Sequence, residues 1–378
     1  MTLRLRLADA AGDVPAADWD RLAGTANPFA RHAFFTSLEE SGSATAETGW
    51  RPLHLVAEDE AGRVHGILPG YLKSHSQGEY VFDHGWADAW MRAGHRYYPK
   101  LQHSTPFTPA TAPKLLAEDE ETRALLVAAS EALARKNGLS SAHATFLTDA
   151  DADSFAARGW LERNDLQYHW RNDGGWRSFD DYLGAFSSRK RKVLHHERRQ
   201  ALAAVDSVDW LTAGDLTEAV WGRFFAFYQD TGSRKWGHPY LTRPFFSLIG
   251  QRMGERVLLV LAKRGGEYVA GALNFIGADC LYGRQWGALE DIPFLHFELC
   301  YHQAIDFACR HGLSRIEAGA QGAHKIARGY RPVPTRSMHY LPDPGFRAAV
   351  ADYLAEERPA LAEERAALAR ELPFRADG

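Results

Sequence analysis

RVLLVLAKRGGEYVAGALNF, residues 256–275, reads as two β-strands and the turn between them. Arg256–Lys263 is an apolar run of strand length, the pattern of a buried strand. Arg264-Gly265-Gly266-Glu267 supplies the hairpin turn, and Tyr268–Phe275 returns beside the first strand. Downstream, Cys280–Gln285 predicts a third strand and Phe294–His311 a helix closed by Gly312. Ser314–Ala318 predicts a further strand.

The first half repeats this order. Pro52–Glu58 predicts a strand, Glu60–Arg63 a turn and Val64–Tyr71 the return, with Glu79–Asp83 as a further strand. Thr122–Asn137 predicts a helix, with Leu125, Leu126, Ala129 and Leu133 on one face and Gly138 behind it. Hairpins followed by helix and strand, twice over, predict a duplicated α/β chain with mixed sheets. A chain of 378 residues is long enough for two domains. We place them at 1–170 and 171–340, the second including a basic helix over 188–204, and expect C-terminal helices over 341–378. No low-complexity linker separates the halves, so a cleft between them is expected.

Composition narrows the class. A net charge of −4 excludes a uniformly basic polyanion binder, so any phosphate contact must come from a local patch. Met1–Leu7 alternates like a strand and lacks the apolar core of a signal peptide. No window approaches the ~20 apolar residues of a membrane span. The three cysteines, Cys280, Cys300 and Cys309, are odd in number and suit a reducing cytoplasm.

Four segments carry candidate chemistry. Arg189, Lys190, Arg191, Lys192 and Arg198 form a basic run that is either a solvated surface or a contact to phosphates of tRNA or CoA. On the helix over 294–311, Glu298 falls within an apolar stripe of Phe294, Phe297, Tyr301, Ile305 and Ala308. A carboxylate there is either a structural ion-pair member or a general base of raised pKa. Glu298 with His302 lacks further ligands, so no metal site is assigned. Behind the strand at 314–318 come Gly319, Gln321, Gly322, His324, Lys325 and Arg328. Glycines there let backbone approach a ligand, and the cations suit a carboxylate or phosphate; an ordinary charged turn is the alternative. In the first half, Lys73, Glu79, Tyr80, Asp83 and Lys100 lie in a polar–aromatic stretch that suits a substrate pocket or a rigid loop.

These segments, with Pro28-Phe29, His32–Phe34, EESGS at 39–43, LKSHSQGEYVFD at 72–83, YYPKL at 97–101, PFTP at 106–109, SSRKRK at 187–192, HFELCYHQ at 296–303 and AGAQGAHKIARGY at 318–330, resemble the FemAB-like family of N-acyltransferases. The resemblance spans about Asn27 to Tyr340. One position departs: Ala323 stands where the family pattern carries Glu. The resemblance implies tandem GNAT-like domains with the active site in the second. It implies transfer of an acyl or aminoacyl group to an amine acceptor, such as a peptidoglycan precursor or a small metabolite. The donor would be a cosubstrate, aminoacyl-tRNA or acyl-CoA, with no permanently bound cofactor. Acetyltransferases hold the CoA pyrophosphate with a [QR]-x-x-G-x-[GA] loop. The corresponding connection here, Arg284–Pro293, lacks that pattern and carries Glu290 and Asp291, which favours aminoacyl-tRNA. On this reading Glu298 is the base, with His324 as substitute. Arg284, Gln321, Lys325 and Arg328 bind substrate beside the first-half residues, and Gly319 and Gly322 offer oxyanion N–H groups. Two alternatives are a non-catalytic cell-wall or amino-sugar binding protein and an acyl-CoA-dependent acetyltransferase.

Overall fold

The computed structural model describes residues 2–236, 239–319 and 322–375. Two compact units result: Met1–Asp165 with Pro334–Glu363, and Leu166–Val333 with Glu364–Gly378. This grouping differs from a division at 170/171 and 340/341, because residues 334–363 pack with the N-terminal segment.

The strands in chain order are β1 Arg4–Ala8, β2 Trp50–Pro52, β3 His54–Glu58, β4 Val64–Leu68, β5 Tyr71–Lys73, β6 Lys100–His103, β7 Leu116–Ala117 and β8 Ala142–Leu147. They continue with β9 Leu161–Arg171, β10 Ser207–Leu211, β11 Val257–Arg264, β12 Glu267–Ile276, β13 Cys280–Ala288, β14 Arg315–Glu317 and β15 Arg331–Tyr340.

In the first unit, the N-terminal alternation forms β1, which pairs antiparallel with β3 from Arg4↔Glu58 to Ala8↔His54. Arg4 and Arg6 both bond Glu58 at 2.7 Å. β1, β3, β4 and β7 form one small sheet, and β2, β5, β6, β8 and β15 follow one another in a second. β6 and β8 are parallel, so a crossover must join them. The helix Glu120–Lys136 supplies it, with the Asp119 side chain accepting the Thr122 N–H at its start. Leu126, Val127 and Ala134 of that helix are buried with Leu55, Leu101 and Ala144. One expectation is corrected. Residues 79–83 are not a strand: Tyr80 has φ +59°, and Asp83 leads into the helix His84–Arg92. Alternation gives way because both carboxylates turn inward to Lys100. The C-terminal helices are one helix, Pro344–Arg370.

In the second unit the order is β10-β11-β12-β13-β14-β9. The hairpin read from 256–275 is present, and Gly265 and Gly266 take φ +60° and +81°, the left-handed pair a tight hairpin needs. β13 and β14 are parallel, again joined by a helical crossover. That crossover is α-helical over Leu295–Phe297, a π-turn over Glu298–His302, and α-helical again over Gln303–Arg310. Its buried Leu295, Leu299, Ala304, Ile305 and Ala308 pack in one core with β11, β12 and the helix Phe179–Leu183.

Candidate active site

In the second unit, five of the singled-out residues (Gly319, Gly322, His324, Lys325 and Arg328) lie together behind β14. β14 ends at Glu317, and the chain passes through Gly319 and Gly322 into the short helix Ala323–Arg328. Gly322 has φ +112°, and a Cβ there would lie 2.3 Å from the His324 ring. Glycine at this position thus permits both the turn and the placement of His324. His324 is exposed, and its Nε2 lies 2.9 Å from the Tyr301 Oη. Phe297 and Tyr301, one turn apart on the crossover helix, each place a ring 5.6 Å from the imidazole. Burial raises the Tyr301 phenol well above its ordinary value, so its proton stays on.

The cations of this segment turn inward. Lys325 donates to the carbonyls of Ala318 at 2.7 Å and Gly319 at 3.0 Å, and burial pushes its pKa down to about 8. Arg328 donates to the His324 carbonyl at 2.9 Å and to Glu197 Oε2 at 2.5 Å, with its guanidinium 3.5 Å from the Phe297 ring centre. Lys325 and Arg328 thus hold the turn together, where sequence suggested that they hold a substrate anion. Gly319 and Gly322 use their carbonyls for Lys325, through its Nζ and its N–H respectively. Gln321 lies outside the described residues.

Glu298 is fully buried. Its Oε2 accepts from His302 Nδ1 at 2.9 Å, and its Oε1 accepts from Gln303 Nε2 at 2.7 Å and faces Arg198 Nε at 3.6 Å. Burial lowers the His302 pKa, so a neutral ring donates its Nδ1–H. Both carboxylate oxygens are engaged and none of the residue is exposed, which fits an ion-pair anchor. Arg198 is corrected with it: this residue pairs inward. Arg189, Lys190 and Lys192 of the helix Ser188–Ala203 are exposed, and Arg191 is half-buried. Arg284 occupies a β-bulge. Leu273 pairs Gln285 while Asn274 pairs Gly283, so Arg284 is the extra residue on β13.

The first-half residues gather in the first unit. Lys100 is fully buried, and its ammonium donates to Ser76 Oγ at 2.9 Å, to Glu79 Oε2 at 2.7 Å and to Asp83. Lys73, also fully buried, lies 3.8 Å from Glu79 Oε1 and 3.7 Å from the Trp50 ring centre. Burial pushes the Glu79 carboxyl up to about 7 and the Lys73 ammonium down to about 7. Burial also works against ionised Asp83, but the adjacent Lys100 charge overrides it and holds the carboxyl below its ordinary range. Tyr97 extends the network by donating to Asp83 Oδ2 at 2.6 Å, and His143 meets His339 at 2.7 Å. Tyr80 is half-buried beside this group.

Sequence reasoning missed Tyr301, Glu197, His143 and His339. Tyr301 read as one more apolar-stripe residue, and its polar tip was the only signal. The others are joined through partners remote in sequence.

The model of the FemAB-like family, described as peptidoglycan biosynthesis/recognition, matches residues 10–376. No curated protein matches the chain by sequence. Among solved structures the chain is similar to FemX, at 12% identity and TM-score 0.52, over 87% of this chain and 96% of that one. It is similar to the C-terminal domain of a candidate lysylphosphatidylglycerol synthetase from Agrobacterium fabrum, at 10% identity and TM-score 0.53, over 90% and 95%. It is also similar to L-PGS from Bacillus licheniformis, at 10% identity and TM-score 0.50, over 84% and 93%. At such identities the likeness shows a shared α/β fold, as expected from sequence. The family match over nearly the whole chain carries the assignment: this chain belongs to the FemAB-like family of peptidoglycan biosynthesis and recognition.

Proposed function

We propose that the chain is an N-acyltransferase that moves an aminoacyl or acyl group onto an amine, with His324 as the general base. The observation that supports this best is the exposed imidazole of His324, held through Nε2 by a buried phenol at the end of the sheet. In the tautomer whose Nε2–H donates to the Tyr301 oxygen, Nδ1 is the nitrogen that accepts a proton. The substrate amine attacks the donor's carbonyl carbon and a C–N bond forms. The ester or thioester bond breaks, and the amine's proton passes through Nδ1 to the leaving oxygen or sulfur. No enzyme-bound acyl intermediate is required. Cys280 and Cys309 are buried, and burial raises both thiols, that of Cys309 to about 12, which suits neither to act as a nucleophile.

Aminoacyl-tRNA is the favoured donor. Glu290 and Asp291 are exposed ahead of the crossover helix, and the Leu295 N–H is spent on the Ile292 carbonyl. A pyrophosphate would meet negative charge and an occupied donor there. The exposed Arg189, Lys190 and Lys192 supply the charge a polynucleotide backbone requires. The acceptor class is an amine of a peptidoglycan precursor or a small metabolite.

The test pairs binding with turnover. Charged tRNA should be retained on filters, weakening steeply with salt, while acyl-CoAs leave the melting temperature unchanged. His324→Gln should keep donor binding and lose turnover by about 10²-fold or more. Stabilisation by CoA would move the donor assignment to a conventional acetyltransferase. Full activity in His324→Gln would remove the base.

A further inference from the structure

We propose that Glu197 and Arg328 are positioning residues for His324, and that through them the basic helix sets the charge state of the imidazole. This rests on the reading of His324 as the base. Glu197 and Arg198 are neighbours on the helix Ser188–Ala203, and each reaches a different part of the site. Glu197 meets Arg328 at 2.5 Å, and Arg198 faces Glu298 of the π-turn at 3.6 Å. The same face of the site is thus clamped at two points, while Arg189, Lys190 and Lys192 of this helix stay exposed.

Arg328 is the centre of the linkage. It is 4% exposed, so its charge depends on Glu197 for balance. One arm of its guanidinium bonds the His324 carbonyl at 2.9 Å and another bonds Glu197. Its plane lies 3.5 Å from the centre of the Phe297 ring, and that ring lies 5.6 Å from the His324 ring. The carbonyl bond fixes the backbone that carries the imidazole, and Phe297 fixes its ring. Among the described residues, the charged and titratable groups facing His324 include Tyr301 at Nε2, His296 at 6.1 Å between rings, Arg328 and, behind it, Glu197. Lys325 is next in sequence, but its ammonium is turned to the carbonyls of Ala318 and Gly319.

The two members of the pair carry opposite charge, so removing them must move His324 in opposite directions. In Glu197→Gln the Arg328 charge is uncompensated, the imidazolium is disfavoured and the titration midpoint of His324 falls. In Arg328→Gln the Glu197 charge remains, the imidazolium is favoured and the midpoint rises. Each shift should be about half a pH unit at these separations. The double variant should return towards the parent value.

The measurement is a pH titration of the imidazole C–H resonances of carbon-13 histidine-labelled protein, with the His324 signal assigned by its loss in His324→Gln. Opposed shifts that cancel in the double variant are expected. Shifts of one sign, or none, would overturn the proposal, since two opposite charges that both act on the imidazole must move it in opposite directions. Arg328→Lys keeps the charge but not the planar fork, so it provides a second arm should the glutamine variants fold poorly. It should lower kcat several-fold with KM unchanged, and an unchanged kcat counts against the proposal. Should turnover prove independent of His324, the assignment of His324 as base fails, while the resonance shifts still decide the positioning role.

Discussion

Lys100 and Lys73 are both fully buried lysines of the first unit, yet they do different work. Lys100 is bonded to Glu79, Asp83 and Ser76, and the two carboxylates outweigh the burial that would otherwise strip its proton, leaving its pKa raised. Removing that ammonium leaves Asp83 buried as an uncompensated charge. Lys100→Met should therefore cost about 3–5 kcal/mol in denaturant unfolding at neutral pH. Lys73 donates to the Gln77 carbonyl at 3.1 Å and packs beneath Trp50, and burial has already pushed it down to about 7. Methionine can fill the place of its stem, so Lys73→Met should cost less than about 1.5 kcal/mol. Equal costs for the two variants would show that charge compensation does not organise this cluster. The stretch stood out along the chain, but its pairing did not. Lys100 lies 17 residues from Asp83 and 21 from Glu79, and alternation within EYVFD imitates a strand until the tertiary pairing turns its carboxylates inward.

The second unit's main helix–sheet contact depends on the smallness of one residue. A Cβ at Gly287 of β13 would lie 2.3 Å from the backbone carbonyl of Phe227, in the helix Glu218–Trp236. Backbone cannot step aside as a side chain can, so Gly287→Ala should lift the helix from the strand and cost about 3 kcal/mol. Gly222, in the same helix, has nothing within 4 Å of where its Cβ would stand. Gly222→Ala should instead stabilise by about 0.5–1 kcal/mol through helix propensity and the reduced freedom of the unfolded chain. Calorimetric melting of both variants checks the pair, and a stabilised Gly287→Ala would refute the packing argument. At this scale much was legible beforehand. The β11–β12 hairpin announces itself through two apolar runs around Gly265-Gly266. Local signals suffice there because turn preferences are set by neighbouring residues. The π-turn at Glu298–His302 was not legible, since a regular stripe of apolar positions carries no mark of the inserted residue. Nor was the inward turn of Arg198, which depends on a carboxylate a hundred positions away.

Across the whole molecule, histidine burial sets how the fold responds to acid. His103 is held down to about 4, His143 and His169 to about 3, and His302 and His339 are also lowered, in every case chiefly because burial disfavours the imidazolium. The unfolded chain protonates each of them near pH 6.5 while the native state does not. Depressed native values mean that this stability is present above about pH 6.5 and is lost as pH falls towards the native values. Each group contributes up to about 1.4 kcal/mol per pH unit over that window. Glu79 opposes the trend, since its native pKa of about 7 lies above the ordinary value and its protonation favours the native state as pH falls. One opposing proton does not cancel five. His65, raised mainly by its bond to Asp59, acts only above about pH 6.5, where its stabilisation fades as pH rises through its native value. Unfolding stability should therefore drop steeply between pH 6.5 and 5, before ordinary carboxylates take up protons. His339→Gln should make that slope shallower by up to about 1.4 kcal/mol per pH unit. Guanidinium unfolding at half-unit steps from pH 7.5 to 5 would measure it. A flat profile across that range would mean that these imidazoles are solvated or already charged in the native state, and the proton balance drawn from their burial would be wrong.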